Sequence, residues 1–237
     1  MSAPFPFRVA VVGGGPAGLM AADVLLAAGA QVELFDAMPS VGRKFLLAGK
    51  GGLNITHAEP EAAFGGRYRE RAPEVGAWLD GFGPEALRAW VHAQGIPTFV
   101  GSSGKVFPEG MKAAPLLRAW LHRLRAAGLV LHARHRWTGQ LEAAQGGGWT
   151  LGFDTPQGPR ASTPDAVVLA LGAWGFKAMG DPREEQIITA DSMTMALRTA
   201  FRPQVAASLP TTAYGARFGP AELFIRVDGP ARSEERR

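Results

Sequence analysis

The sequence predicts an α/β fold, in which a parallel sheet begins with a strand, a glycine-rich turn and a helix. Residues 7–12 form a short apolar run rich in β-branched side chains, which favours a buried strand. Gly13, Gly15 and Gly18 follow in G-x-G-x-x-G spacing, and Pro16 stands where a helix can begin without an N–H group. These observations predict a Rossmann-like β-α-β unit, because only glycine permits so sharp a turn and such close packing of helix on strand.

The helix and the next strand complete this unit. Residues 17–28 are apolar around almost the whole helix, so we expect it to be largely buried, and Gly29 marks its end. The second strand spans residues 31–35 and is followed by Asp36, 18 residues beyond Gly18. A carboxylate there can accept hydrogen bonds from the ribose hydroxyls of an adenosine, and it would repel a 2′-phosphate. The unit therefore predicts FAD or NAD rather than NADP, with these binding residues: Gly13, Gly15, Pro16, Ala17, Gly18 and Asp36.

Composition limits the chemistry that the chain can perform alone. A chain of 237 residues can fold as one large domain or two small ones, and either buries a real core. The absence of cysteine excludes disulfides, thiolate metal sites and a redox dithiol, so any redox chemistry must belong to a bound cofactor. No apolar run reaches the roughly 18 residues of a membrane span, and no signal-peptide pattern opens the chain. We therefore expect a cytoplasmic protein without a membrane partner.

A long glycine-rich segment follows the second strand. Residues 37–57 show no helical periodicity, and a loop of this length in a compact domain usually serves a function. Arg43 and Lys44 put two cations beside Gly42, and Asn54 adds a hydrogen-bonding side chain. A phosphate, a flavin ring or a substrate would each explain this composition.

A resemblance to a known family is carried by residues 42–57, GRKFLLAGKGGLNITH. They resemble the G-R-K-x-L-x-S-G-G-G-R-C-N-x-T-N signature of bacterial flavoproteins called aminoacetone-oxidase-like, or BaiN-like, NAD(P)/FAD-dependent oxidoreductases. Residues 106–124, VFPEGMKAAPLLRAWLHRL, are similar to a later segment of the same family. The chain departs from the signature at Gly52, Leu53 and His57, where the family usually has arginine, cysteine and asparagine, so it resembles a divergent subgroup.

The resemblance implies roles for residues along the chain. The fingerprint glycines and Asp36 would hold the adenosine diphosphate half of FAD. Arg43, Lys44 and Asn54 would lie near the pyrophosphate, the ribityl chain or the flavin ring of FAD. The polar side chains expected to face the flavin ring are those of Lys44, Lys50 and His57. Trp137 would be a neighbour of the adenine, and Gly172 would contact the pyrophosphate. No residue is assigned a catalytic role.

The remaining pattern predicts further elements. Residues 58–128 form a mainly helical insertion that contains a hairpin over Phe99–Phe107. Residues 101–105, GSSGK, lack P-loop spacing, so a plain turn is favoured over a phosphate loop. A small antiparallel sheet is predicted from three strands at residues 129–132, 137–143 and 149–153, and a fourth parallel strand at residues 166–172. Since no further metal ligands stand near His132 and His135, we interpret both histidines as solvated rather than as a metal site.

The predicted organisation is a FAD-binding domain over residues 1–180, with the insertion at 58–128 and the small sheet at 129–153. Residues 181–237 are poorly patterned, with scattered proline, glycine and arginine. Proteins of the resembled family run substantially further and add a substrate domain. A truncated chain or a shifted reading frame would produce this loss of pattern.

Together these features predict a FAD-dependent oxidoreductase that moves a hydride or electrons between a small-molecule donor, or NAD(P)H, and an acceptor. No second G-x-G-x-x-G unit is present, so NAD(P)H would be at most a transient donor. One alternative is a NAD-dependent dehydrogenase. Another is a truncated, non-catalytic domain that binds nucleotide or nucleic acid through residues 62–137. This stretch contains 11 Lys and Arg residues but only 5 Asp and Glu residues. That basic stretch is more typical of a solvated, arginine-rich surface.

Overall fold

The computed structural model describes residues 7–48 and 51–172, together with the backbone of residues 214–218 and 221–225. Its strands are β1 Arg8–Val12, β2 Gln31–Asp36, β3 Thr56–His57, β4 Thr98–Val100, β5 Lys105–Pro108, β6 Val130–Ala133, β7 Arg136–Ala143, β8 Trp149–Thr155, β9 Gly158–Ser162, β10 Ala166–Leu169, β11 Tyr214–Phe218 and β12 Ala221–Ile225. Its α-helices are α1 Pro16–Ala27, α2 Arg43–Ala48, α3 Glu61–Gly66, α4 Ala72–Phe82, α5 Pro84–Ala93 and α6 Ala113–Ala126.

The central sheet has four parallel strands in the order β10-β1-β2-β6. Val9 lies between Val32 of β2 and Ala166 of β10, and all three side chains are buried. Near-continuous apolar runs form such strands because both faces of a parallel sheet are covered. The predicted Rossmann-like fold is confirmed, and β10 is the fourth parallel strand expected at residues 166–172.

Two layers cover the faces of this sheet. On one face, α1, α5 and α6 pack over a core cluster that includes Leu19, Leu34, Phe45, Leu87, Val91, Leu116, Trp120 and Leu124. On the other face, the antiparallel sheet β7-β8-β9 packs over a second cluster formed by Ala10, Val12, Phe35, Leu151, Phe153, Val167 and Leu169. The helix α1 is less buried than its sequence predicts, since Val24, Leu25 and Leu26 remain partly exposed.

The small antiparallel sheet is present, but one of its three predicted strands needs correction. The segment predicted at residues 129–132 forms β6, which pairs in parallel with β2 at the edge of the central sheet. The third antiparallel strand is instead β9, which pairs with β8. Three of the five β9 residues are exposed, so that strand lacks the apolar alternation by which strands are recognised.

The segment predicted as a loop over residues 37–57 contains the helix α2 and the short strand β3. Only Phe45 is buried in α2, and six residues are too few to show a helical period. β3 pairs with β5, which also forms the predicted hairpin with β4 by pairing Phe99 with Phe107. The hairpin closes through a turn in which Gly104 has φ +76°. The insertion is mainly helical, as predicted.

Towards the carboxyl terminus, β11 and β12 form an antiparallel pair. The rest of residues 181–237 lies outside the described residues, so the domain boundary at residue 180 stays a prediction. Within the described part of the chain, no helix is both long enough and apolar enough to cross a membrane.

A buried acid ties the helical layer together. Asp23 of α1 accepts hydrogen bonds from the indole N–H groups of Trp90 in α5, at 3.2 Å, and of Trp120 in α6, at 3.1 Å. Arg123 of α6 pairs with the same carboxylate oxygen, and the two indole rings meet edge to face. Three helices therefore meet at one carboxylate, which offsets the cost of burying its charge.

Replacing this acid tests its share in stability. Asp23→Leu leaves two indole donors without an acceptor, and each unsatisfied buried donor costs about 1–3 kcal/mol. We expect the free energy of unfolding in urea to fall by about 2–4 kcal/mol. Glu85→Ala is a suitable control, because the Glu85 side chain is 80% exposed and should contribute less than about 1 kcal/mol. Equal effects of the two substitutions would contradict the assignment.

Candidate functional site

Several of the predicted binding residues lie at the carboxyl edge of the central sheet. The turn at Gly13 follows β1, Asp36 ends β2, and residues 170–172 follow β10. Along the chain, strands are added outward from β1 to β2 and β6, and β10 then joins on the other side of β1. Such a reversal of strand order leaves a crevice at the carboxyl ends of the strands, which is where open α/β sheets bind ligands.

Two glycines of the fingerprint allow three backbone segments to touch. A Cβ at Gly18 would lie 1.8 Å from the carbonyl oxygen of Gly13, and a Cβ at Gly13 would lie 2.3 Å from the carbonyl oxygen of Ala170. Gly13 also has φ +109°, a conformation that other residues rarely adopt. Any side chain at these positions would push α1 or the end of β10 away from β1.

Gly15, the remaining glycine of the fingerprint, has free space where a side chain would be. Apart from its chain neighbours Gly14 and Pro16, no described residue has an atom within 4 Å of a Cβ built at Gly15. Gly15 is also the residue that precedes α1, and no side chain caps the helix there. The first N–H groups of α1 are therefore left without a side-chain partner among the described residues, and the positive end of a helix attracts an anion by roughly 0.3–1 kcal/mol when exposed. This arrangement fits a diphosphate group.

Asp36 is part of the turn itself. One carboxylate oxygen accepts the amide N–H of Gly14 at 2.7 Å, and the other accepts the amide N–H of Met38 at 2.7 Å. A carboxylate offers about four acceptor positions, so two remain for the ribose hydroxyls that the sequence predicts as its partners. The residues that fix the carboxylate, Gly14 and Met38, were not predicted, and the extra glycine at position 14, between Gly13 and Gly15, was the only signal in the sequence.

The segment after β2 docks directly on the glycine turn. The amide of Gly42 donates to the carbonyl oxygen of Gly14 at 2.8 Å, and Gly42 has φ +69° with Leu117 packed against it. The helix α2 begins immediately afterwards, so Arg43 and Lys44 start beside the crevice. Both side chains are exposed overall, but partial burial lowers the pKa of the Lys44 amine from its ordinary value of 10.5.

In residues 53–56, which lead into β3, apolar side chains of the core alternate with polar side chains. Leu53 and Ile55 are buried in the main core cluster, which accounts for an apolar residue where the resembled family has cysteine. Two side-chain atoms of the residues that alternate with them, Asn54 Oδ1 and Thr56 Oγ1, are buried without a hydrogen-bond partner among the protein groups described. Buried polar atoms normally find partners. Asn54 therefore keeps an unused acceptor for a bound group.

Other predicted residues lie in places that give them other partners. The Nε2 atom of His57 is 3.0 Å from the carbonyl oxygen of Ser103, and its Nδ1 atom accepts the amide of Glu59 at 3.2 Å. The His57 ring is therefore occupied by the hairpin turn. The indole of Trp137 donates to the carbonyl oxygen of Gln140 at 2.8 Å. Gly172 follows β10 with φ +63°, whereas Lys50 lies outside the described residues.

The interpretation of both histidines as solvated is wrong for His132. Its ring stacks on Phe35, with centroids 4.6 Å apart, and its Nε2 atom lies 3.0 Å from a carboxylate oxygen of Glu33. The His132 side chain is only 14% exposed. β6 brings this histidine to β2, and a local sequence pattern cannot reveal such long-range pairing. In the part of the chain that the structure describes, no three His, Cys, Asp or Glu residues are grouped as metal ligands.

One solved structure of low sequence identity agrees with this fold. A 15% identical structure with a TM-score of 0.54 is the 3-ketosteroid-Δ4-(5α)-dehydrogenase from Rhodococcus jostii RHA1 in complex with 4-androstene-3,17-dione; the match covers 83% of this chain and 55% of that one. Thermovibrio ammonificans THI4 is 20% identical with a TM-score of 0.45, over 71% of this chain and 58% of its own. At these identities the likeness concerns the fold alone.

The sequence comparisons are more specific. A stretch of 35 residues is 57% identical to UacF of Escherichia coli (strain K12), which is 15% of this chain and 6% of that protein. The chain thus spans a small part of UacF and little more than half of the two solved chains. Residues 7–199 match the profile described as HI0933-like protein Rossmann domain, which extends beyond Gly180, where the sequence pattern weakens. The chain therefore belongs to the HI0933-like Rossmann domain family.

Proposed function

We propose that this chain is the FAD-binding part of a flavoprotein oxidoreductase of the aminoacetone-oxidase-like, or BaiN-like, group. The observation that carries the proposal is the open space beside Gly15 at the uncapped start of α1, at the point where strand order reverses. Bound FAD would supply the transfer of a hydride or electrons, for which a chain without cysteine has no redox group of its own.

The residues around the crevice fit FAD along its length. The N–H groups at the start of α1 would receive the diphosphate, and Gly13 and Gly18 keep that turn tight. Asp36 would accept the hydroxyls of the adenosine ribose. On the other side of the turn, Arg43 and Lys44 would balance negative charge, and Asn54 would use its free Oδ1 atom to accept a hydrogen bond from the flavin half.

The contact between the segment that begins at Gly42 and the glycine turn favours FAD over NAD. A Rossmann unit that binds NAD needs only the turn, the helix and the acid. Here Gly42 also joins residues 42–57 to the glycine turn, so polar groups extend beyond the diphosphate position. The electron donor and acceptor would be small molecules, and the resemblance also suggests NAD(P)H as a transient donor.

Cofactor identification is the first test. We expect the purified full chain to show the visible absorbance of flavin, and mild denaturation to release FAD identifiable by its mass. Release of NAD would favour the dehydrogenase. Salt-dependent RNA binding by protein that retains no flavin would favour the non-catalytic alternative. Colourless protein that regains no flavin absorbance with added FAD would overturn the proposal.

Two glycine substitutions separate binding from folding. Gly15→Ala places a methyl group in open space, and the extended backbone of residue 15 accepts alanine. We expect its free energy of unfolding to stay within about 1 kcal/mol of wild type, whereas FAD affinity, measured by equilibrium titration, falls at least about tenfold because the diphosphate loses its approach. Gly13→Ala is the matched contrast, since its Cβ would meet Ala170 and should destabilise the fold itself. Unchanged affinity in Gly15→Ala would argue against a diphosphate at this position.

Removal of the ribose acid has a control at the opposite edge of the sheet. Asp36→Ala deletes the acceptor of two amide N–H groups and should lower the free energy of unfolding by about 1–3 kcal/mol and FAD affinity about tenfold or more. Asp165 also accepts a backbone amide, that of Arg8 at 2.7 Å, but it lies at the amino edge. Asp165→Ala should lower stability without changing FAD affinity. Equal affinity losses in both variants would show that unfolding, rather than the ribose contact, is being measured.

A further inference from the structure

A strained arginine stands beside the adenosine end of the crevice. Three residues other than glycine have left-handed backbone angles in the described part of the chain: Arg69 at φ +51°, Met111 at φ +55° and Arg134 at φ +57°. Such angles are unfavourable for residues with a Cβ, and they tend to persist where the surroundings impose them, often at binding sites. Arg134 is the one placed at the carboxyl edge of the central sheet, directly after β6.

Backbone hydrogen bonds tie the turn around Arg134 to the turn around Asp36. The amide of Arg134 donates to the carbonyl oxygen of Met38 at 3.1 Å, and the amide of His135 donates to the carbonyl oxygen of Asp36 at 2.9 Å. The carboxylate of Asp36 in turn accepts the amide of Met38. The position of residue 134 is therefore set by the same loop that presents the acid to the ribose.

The guanidinium group of Arg134 has no partner among the described residues. The side chain is exposed, and it forms no hydrogen bond or ion pair with any of them. A guanidinium is planar and weakly hydrated, and it stacks on aromatic rings, including purine bases. An unpaired, exposed arginine that is fixed next to the ribose acid has the chemistry required to cover a base.

We propose that Arg134 stacks its guanidinium on the adenine ring of the bound dinucleotide, and this inference rests on the function proposed above. Trp137, which the family resemblance suggested as the adenine neighbour, is less suited to this role. Its indole N–H is already bonded to Gln140, and its ring packs on the second core cluster. Arg134 is a binding residue for the adenosine half and takes no part in the chemistry of the flavin.

Arg69 provides a matched control for the test. It is also an exposed arginine with a left-handed backbone, and its side chain has no partner among the described residues, but it lies in the helical insertion. Arg134→Gly and Arg69→Gly should both relieve strain and raise Tm by a similar amount, on the order of 2–4 °C. Arg134→Lys keeps the charge and the strained backbone but lacks the planar group.

Affinities for ADP and for FAD, measured by calorimetric titration of the full chain, decide the proposal. We expect Arg134→Gly and Arg134→Lys to lose about tenfold in ADP affinity, the range typical of base stacking, while Arg69→Gly binds as wild type does. Wild-type affinity in Arg134→Gly would overturn the proposal, and so would wild-type affinity in Arg134→Lys, since charge alone would then suffice. A wild-type chain that binds neither ligand would instead contradict the proposed function.

Discussion

The structure depends on the contact of three backbone segments at the carboxyl end of β1. The helix α1 reaches β1 only because residue 18 lacks a Cβ, which would otherwise overlap the carbonyl oxygen of Gly13 at 1.8 Å. The end of β10 reaches β1 only because residue 13 lacks one as well. These contacts bring β10 to β1 and direct the start of α1 toward the carboxyl edge of the central sheet. A crevice with free N–H groups follows from the packing itself.

Asp36 belongs both to the fold and to the candidate site. Its carboxylate holds the amides of Gly14 and Met38, so the glycine turn and the loop after β2 share one anchor before any ligand arrives. Gly42 adds a second link, through its hydrogen bond to Gly14. The groups expected to touch the two halves of a dinucleotide are therefore fixed relative to each other in advance. Such preorganisation reduces the ordering cost of binding.

The sequence predicted the elements that local chemistry determines. The glycine spacing, Pro16 and Asp36 define one β-α-β unit, because few other structures need those residues at those intervals. The parts that it could not predict depend on distant partners. Residues 129–132 form a parallel strand because β2 lies beside them, and Asp23 is buried in α1 because two tryptophans about 67 and 97 residues away donate to it. A short helix such as α2 leaves no period to detect.

The two edges of the central sheet differ in a way that stability alone does not explain. At the amino edge, Arg8 and Asp165 form an ion pair whose side chains are 56% and 41% exposed, and such pairs contribute between about 0 and 1 kcal/mol. At the carboxyl edge, backbone atoms fill the space around Gly13 and Gly18 as tightly as possible, while the space beside Gly15 stays open. Folding requires glycine at positions 13 and 18 but gains nothing from glycine at position 15. Alanine would fit at residue 15 and would reduce the entropy of the unfolded chain. A glycine that folding does not require, at the start of an uncapped helix, is best explained by a ligand that must approach the backbone there.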